Sequence, residues 1–565
     1  MLRYFTHRNT LPEGKSGGPG DLFAGAGKTS GLCPPSRLRY GLLSGPALMG
    51  MLGGFMHAAT AQPANNGNVP ASITINEYAI KGNHLLSEID IDNAVYPYLG
   101  PGQNVRSVDA ARAALQKAYA AKGYETVAVE IPPQHVVGGV ILFQVVEAPV
   151  GRLHVKGSRY FSLNKIKAQA PSLAPGQVPN FKRIKHDIIA LNQWPDRQVI
   201  PTLLPGTRSG TVDVDLNVKD NLPVHGSLSL DNRYSPDTTP LRIDGSVSYD
   251  NLWQRGDTIN MAFQVAPQRP NDALVFTGSY LARVPNNDWL TFLFYGLVSN
   301  SKVSTVGSTN VVGRGHVLGI RAITDLPGGD GFFDTLSSGI DYKEFDQNVS
   351  LGGATLPSPV TYYPITASYS ANWQSDHART QFDIGPTLSV RGLGSSPSEF
   401  DTKRYKAESN FIYVRGDLSR QQDLPGNFQL YVKAQGQVSN QSLINSEQFS
   451  LGGQDTVRGY LESEVLADEA IAGTVELRSP PLEQYLGPDV NSWRVFLFTD
   501  GGWGAIVDPL QDQQPNFTLL SVGAGTRLQL IDHLNGTVDV AVPLHNSVTT
   551  KAEQVRVEFK VWVQF

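Results

Sequence analysis

Cysteine is almost absent: Cys33 is the single thiol in 565 residues. One thiol excludes an intrachain disulfide framework, and a mature chain that has lost it would have no cysteine-ligated metal either. Charge is scarce too, at 17% of residues, and neither sign dominates, the formal net charge being −5. Such a balance leaves no basic footprint, so no nucleic-acid partner is expected. Catalytic signatures are missing as well. No His-Glu-x-x-His occurs, and no Gly-x-Ser-x-Gly occurs beyond Gly14 to Gly18, which lies in the patternless stretch before Arg37, so the commonest hydrolase readings find no support. Gly25-Ala26-Gly27-Lys28-Thr29 imitates a phosphate loop, but Leu22 stands where the loop needs its first glycine, and no strand precedes it. No enzyme activity, cofactor or metal is expected.

Long apolar runs are lacking, with one exception near the start. Arg37 and Arg39 precede the apolar, Gly-rich stretch from Tyr40 to Met56, and Ala59-Thr60-Ala61 follows. A basic flank, a short apolar core and a small-x-small site make a secretory signal cleaved after Ala61. A membrane anchor is the competing reading. The 36 residues before Arg37 show no comparable pattern, and a start assigned too far upstream accounts for them better than an extended signal. Cleavage would remove Cys33 and leave a thiol-free chain.

What is present begins with a repeat. Ala79-Ile80-Lys81-Gly82-Asn83 precedes Leu85-Leu86-Ser87 and Ile91, and His154-Val155-Lys156-Gly157-Ser158 precedes Tyr160-Phe161-Ser162 and Ile166, the two lying 75 positions apart. In each copy a short strand ends at Lys-Gly, the chain turns, and Ser87 or Ser162 caps a helix. A second helix follows. From about Ser107 to Lys122 it carries Val108, Ala111, Leu115 and Tyr119 on one face and stops at Gly123. In the second copy Asn180 caps a helix with Ile184, Ile188 and Leu191, stopped by Pro195. Two strands close each copy, Thr126 to Glu130 with Val140 to Glu147, then Val199 to Leu204 with Thr211 to Val218. The order is β-α-α-β-β, twice. Asp213, Asp215 and Asn217 imitate a calcium loop, but Val218 replaces its glycine. They read as the wet face of a strand.

From Leu222 onward the period is two. Val555, Val557, Phe559, Val561, Val563 and Phe565 share one face of the last run, and Arg556, Glu558, Lys560, Trp562 and Gln564 share the other. Apolar-out and polar-in alternation over about ten residues suits a lipid-facing barrel with a watery lumen. About sixteen such runs begin near 222, 240, 256, 272, 288, 311, 333, 359, 378, 402, 426, 471, 492, 517, 534 and 553. An even number returns both barrel ends to the side that holds the modules. Turns on that side are short, such as Val284-Pro285-Asn286-Asn287, and the long connection from about Ser439 to Ala470 falls outside as the sixth loop. The fold class expected is α+β modules followed by an all-β transmembrane barrel of about sixteen antiparallel strands. The expected boundaries are a leader over 1–61, modules over 62–148 and 149–221, and the barrel over 222–565.

The repeat resembles POTRA (polypeptide-transport-associated) domains. Two further segments matter. Gly452-Gly453-Gln454-Asp455-Thr456-Val457-Arg458-Gly459-Tyr460 lies in the sixth loop, and Phe496-Leu497-Phe498-Thr499-Asp500-Gly501-Gly502 lies two strands later. Val-Arg-Gly-Tyr followed by Phe-x-Asp-x-Gly, behind two POTRA-like modules, resembles the two-partner secretion transporters (TpsB; the ShlB/FhaC/HecB haemolysin secretion/activation family). Gly523 to Arg527 in the fourteenth strand fits the same pattern more weakly.

The resemblance implies that the loop folds into the lumen, pairing Arg458 with Asp500. Val457, Gly459, Tyr460, Phe498 and Gly502 would support that pair, and the terminal Phe565 would serve as an assembly signal. In a partly wet lumen the pair would set a conformation more than add stability. Implied partners are a secreted adhesin- or haemolysin-type exoprotein held unfolded by the POTRA domains, outer-membrane lipid, and the barrel assembly machinery. The implied place is the Gram-negative outer membrane, with the modules in the periplasm. Some members plug the pore with a helix before the first POTRA domain. Here only about ten Pro-, Asn- and Gly-rich residues separate Ala61 from the first strand, so the loop or a retained leader must close the pore. An outer-membrane assembly factor (insertase) is the rival function, and a diffusion porin leaves the modules unexplained.

Overall fold

The computed structural model describes residues 72–565 except 195, 286, 288, 302, 303, 307, 308, 312, 313, 352 and 353. The expected leader with Cys33, the residues that link Ala61 to the first strand, and Pro195 lie outside this set. The first module contains β1 (Ile73–Ile75), β2 (Glu77–Lys81), α1 (Glu88–Val95), β3 (Gly100–Gln103), α2 (Val105–Ala121), β4 (Ala128–Glu130) and β5 (Val140–Val146). β2 runs parallel to β5, β4 pairs antiparallel on the other side, and β1 pairs with β3. The β1–β3 pair was not expected; its strands are too short, and β3 too rich in Gly and Pro, to show a period. The Ser87 hydroxyl accepts from the Asp90 amide at 3.2 Å. α2 starts two residues before Ser107 because the Asn104 side chain takes the amides of Arg106 and Ser107 at 2.9 and 3.1 Å. Val108, Ala111, Leu115 and Tyr119 are buried against Tyr78, Ile141 and Phe143. Burial and the Glu147 carboxylate push the Tyr119 hydroxyl above the usual phenol range.

The second module repeats the plan with β6 (Val150–Lys156), α3 (Leu163–Ala168), α4 (Phe181–Leu191), β7 (Arg197–Pro205) and β8 (Val212–Asp220). β6 runs parallel to β8, and β7 pairs antiparallel. The repeated Lys-Gly has one cause in both copies. Gly82 and Gly157 hold φ of +86° and +87°, and a Cβ on either would sit 2.4 Å from a carbonyl of the module's last strand. Asn180 caps α4, but the Ser162 side chain makes no capping bond to α3; the Ser162 amide donates to Gln254 Oε1 of the barrel at 2.8 Å. Asp213 and Asp215 are not on a wet face, since Arg152 and Lys156 cover them at 2.8 and 2.5 Å.

Helix ends join the modules. The Phe181 amide at the start of α4 donates to the Gly123 carbonyl beyond α2 at 2.8 Å, and Asn180 and Lys182 reach the Lys122 and Ala121 carbonyls. One helix's unpaired donors thereby meet the other's unpaired acceptors. The second module sits on the first periplasmic turn of the barrel, where Asn251 and Gln254 both donate to the Tyr160 carbonyl. Trp194 lies under the Arg197 guanidinium at 4.2 Å, and a Cβ on Gly256 would meet its ring at 2.8 Å. Burial pulls Arg197 down to about 10, with Asp220 opposing.

Among the described residues sixteen antiparallel strands close the barrel, starting at 224, 242, 257, 274, 290, 314, 332, 354, 378, 412, 429, 469, 490, 516, 534 and 556. The eighth is interrupted, Ala354–Tyr362 and Ile365–Gln374 both pairing with Phe332–Leu351. Its start and that of the tenth differ most from expectation. Residues near 402 belong to α5 (Pro397–Lys403), not a strand, because Ser396 and Glu399 form a capping box behind Pro397. The outer face is apolar, with Leu228, Val247, Phe276, Val438 and Leu497 exposed. The inner face is less watery than alternation implied: Val275, Leu297, Val317, Phe345 and Val360 are buried in an apolar cluster that includes residues of the fifth and sixth loops.

The closing seam is short. The first strand (Val224–Asp231) pairs with the last (Arg556–Gln564) over five partners, from Lys560–Asp231 to Gln564–Ser227. Phe565 extends it, exchanging backbone bonds with Gly226 at 3.0 and 3.1 Å. Its ring occupies the notch over Gly226, where a Cβ would lie 2.5 Å from Cζ. Gly226→Val is expected to displace the ring and cost about 1–3 kcal/mol. The check is heat-modifiable migration on gels, where the folded band should weaken at a lower temperature than in the wild type.

Candidate functional site in the barrel lumen

The sixth loop enters the lumen as a hairpin, Phe449–Leu451 pairing with Val465–Ala467. Three glycines shape its tip, with φ of +99° at Gly452, +93° at Gly453 and +89° at Gly459. Gly459 passes so near the fifteenth strand that a Cβ would lie 3.1 Å from that of Ala541. Such turns and approaches favour glycine.

Arg458 and Asp500 meet at the tip. Arg458 Nε and Nη2 donate to the two carboxylate oxygens of Asp500 at 2.7 and 2.8 Å, and the Arg458 amide adds a third bond at 3.1 Å. The fork fixes direction as well as distance. The expectation of a partly wet pair is corrected: Arg458 is 3% exposed and Asp500 1%. Aromatic rings keep the site dry, the Arg458 guanidinium carbon lying 3.5 Å from the centre of the Phe498 ring. Phe498 and Phe496 fit beside Gly523 and Gly525, where any Cβ would collide with their rings at 2.4 Å.

The remaining motif residues gather around the pair. Val457 is buried, its Cγ2 filling the space over Gly502. Tyr460 is buried, and its hydroxyl lies 3.1 and 2.9 Å from the Leu520 and His545 carbonyl oxygens. Phe565 is elsewhere, at the seam.

Sequence reasoning missed the second acid. Glu476, on the twelfth strand (Glu469–Arg478), accepts from Arg458 Nη1 at 2.7 Å. It also accepts from Arg478 at 2.8 and 3.0 Å and from Arg527 at 3.1 Å. Arg527, flagged weakly by the sequence, is thus part of the site. Gln454 adds a contact to Asp539 at 2.5 Å. Three guanidiniums therefore share two carboxylates in a dry space, so removing one partner costs several kcal/mol.

Two other loop carboxylates went unnoticed. Glu447 receives Lys343, Tyr362 and Tyr413 at 2.6, 2.5 and 2.7 Å. Glu464 takes the Thr549 and Thr550 amides of the eighth loop at 2.8 and 2.7 Å. Apart from this lumen, Asp196, His225 and Asp250 bring ligand atoms within 4.8 Å of one another where the second module meets the barrel. His225 Nε2 lies 3.0 Å from Asp196 and 3.5 Å from Asp250, an arrangement that an imidazolium between two carboxylates explains.

Two segments match models of known protein families. Residues 360–528 match the model described as haemolysin secretion/activation protein ShlB/FhaC/HecB, and residues 73–148 match the ShlB-type POTRA domain. In both segments the chain is similar to the two-partner secretion transporters of that family. Its members are outer-membrane proteins, and the modules of this one lie in the periplasm. The outer membrane transporter CdiB of Escherichia coli O6:K15:H31 is 23% identical over 524 residues, covering 87% of this chain and 82% of its own. The heme/hemopexin transporter protein HuxB of Haemophilus influenzae is 22% identical over 430 residues, covering 74% of each. The solved structure of CdiB from Escherichia coli superposes with a TM-score of 0.60 at 19% identity, covering 89% of this chain and 93% of that one.

Proposed function

We propose that this transporter exports one large exoprotein, of adhesin or haemolysin type, through its barrel, and that the Arg458–Asp500–Glu476 cluster holds the sixth loop in the resting position. The observation that carries the reading is the joint presence of a ShlB-type POTRA domain, with a second module of the same plan behind it, and a lumenal loop fastened by a buried ion cluster. The modules offer the sheet edges that an unfolded client needs. β2 and β6 are edge strands of their sheets, and an extended segment can add beside such an edge, with affinity from main-chain bonds and selectivity from alternate side chains.

No nucleotide or catalytic residue is needed in this account. Folding of the client at the cell surface removes it from the exchange and gives export its direction. The exposed apolar band takes outer-membrane lipid as its solvent, and the terminal Phe565 is the feature that the barrel assembly machinery would read.

The test is deletion of this gene in its native host. Loss from the supernatant of the large exoprotein encoded beside it, with other outer-membrane barrels at normal levels, is the expected result. Unchanged secretion with depleted barrels would make the chain an assembly factor instead.

A further inference from the structure

The outer mouth of the lumen is filled by a second device that the Arg458 cluster does not touch. The fifth extracellular loop, residues 389–411, carries α5. Phe400, at the inner side of that helix, is fully buried and packs edge-on against Tyr362 of the barrel wall, ring centres 5.8 Å apart. Phe411 meets the same ring at 6.1 Å, and Leu443 and Ile444 of the sixth loop complete the cluster. Apolar side chains converging inside a pore form a dry stopper, because the wall residues and the loop residues remove one another from water.

Two ion pairs fasten the stopper to other loops, an exposed one between Lys406 and Asp508 at 2.8 Å and a buried one at Arg404. Arg404, one residue past α5, donates to Asp468 at 2.9 Å and to the Leu443 carbonyl at 3.0 Å. Asp468 is 0% exposed and also takes the Leu443 amide at 2.9 Å, Gln448 Nε2 at 3.0 Å and the Val507 amide at 2.8 Å. One carboxylate therefore ties the fifth, sixth and seventh loops together. Backbone attachment of the stopper to the wall is slight by comparison: a bridge at Tyr362–Gly394, and the Ser395 amide on the Thr361 carbonyl at 2.7 Å. Gly392 and Gly394 enter this stretch with φ of +90° and +97°, conformations open to glycine and strained for other residues. The attachment is strong in side-chain contacts and weak in ladder bonds, so the loop can lift without unzipping the barrel.

We infer that the fifth loop is a gate distinct from the sixth, in which α5 stoppers the outer mouth and Arg404 on Asp468 is the latch that must open before anything passes outward. That a client is what passes rests on the export reading; that the mouth is closed does not.

Thr361 and Ser395 face each other across the bridge, so Thr361→Cys with Ser395→Cys, in a Cys33→Ser background, can pin the gate reversibly. The full-length protein would be studied in planar bilayers and the same strain assayed for secretion. Oxidised channels should stay closed, and reduction should restore both conductance events and exoprotein in the supernatant. Because one molecule is compared in two redox states, a folding defect cannot imitate the result. Arg404→Ala should open spontaneously at least about tenfold more often than the wild type. Oxidised channels that conduct like reduced ones would overturn the gate, as would Arg404→Ala channels as quiet as the wild type. Conductance that follows the redox state while the exoprotein stays in the periplasm in both states would keep the gate and remove the export reading.

Discussion

Arg458→Ala is expected to reduce exoprotein secretion by roughly tenfold or more while the barrel still assembles and runs as a folded, heat-modifiable band. The reason is a buried imbalance. Without the guanidinium, Asp500 loses two hydrogen bonds and its counter-charge at a site only 1% exposed, a loss of about 3–5 kcal/mol. That cost falls on the position of the loop. The sixteen-strand ladder does not pass through Arg458, so the wall persists. Arg458→Lys should fail almost as badly, because one ammonium cannot replace a fork that serves Asp500 and Glu476 together. Asp500→Ala should resemble Arg458→Ala, and the double variant should be no worse than either, since both remove one shared interaction. Secretion at the wild-type level in both single variants would refute the role given to the pair.

Glu476→Ala should act at least as strongly, and by repulsion. Three guanidiniums, those of Arg458, Arg478 and Arg527, converge on this carboxylate. Removing it leaves them sharing Asp500 and the nearby Asp539 in a dry space, where like charges are poorly screened. The loop can relieve the crowding by carrying Arg458 out of the lumen. Trypsin added to intact cells would then find a new site after Arg458, and a fragment beginning at Gly459 should appear. At a cost of about 3 kcal/mol the exposed population, and hence the cutting rate, should rise roughly 100-fold. Wild-type resistance to trypsin in this variant would mean that Glu476 does not hold the loop.

Much of this architecture is legible in the residues, for identifiable reasons. Period-two alternation reports strands because one face meets lipid, and it is strongest in the last strand, where Val555, Val557, Val561, Val563 and Phe565 are all exposed on one face. The repeated Lys-Gly is legible because Gly82 and Gly157 each lie against a carbonyl that no side chain could approach. Arg458 and Asp500 stand out because each sits among glycines and aromatics that make a recognisable phrase. Glu476 has no such phrase. In Thr-Val-Glu-Leu-Arg it is an ordinary inward residue of an alternating strand, and only the register that pairs Glu476 with Phe498 and Thr474 with Asp500 brings it beside the Arg458 site.

The tenth strand was placed too early for a different reason. Tyr405, Ala407, Ser409, Phe411 and Tyr413 alternate well enough to imitate a strand, and the competing signal, Ser396-Pro397 with Glu399, lies upstream of them. Dryness of the lumen was hidden too. Inward Val275 stands between Leu274 and Phe276, so nothing in its own strand separates a residue under a loop from one facing lipid.

The proposed route takes a client through the lumen, past the sixth loop, and releases it outside. It can be tested by placing a photo-crosslinking residue at single positions and arresting export with a client whose trailing end is held folded. By strand alternation Gln381 faces the lumen, whereas Ile384 faces lipid and is exposed. Adducts with the arrested client at Gln381, and none at Ile384, are the expected result. Adducts concentrated instead at Leu228 and Val563, outward residues paired across the closing seam, would place the client in the membrane beside the barrel, which contradicts export and describes an insertase.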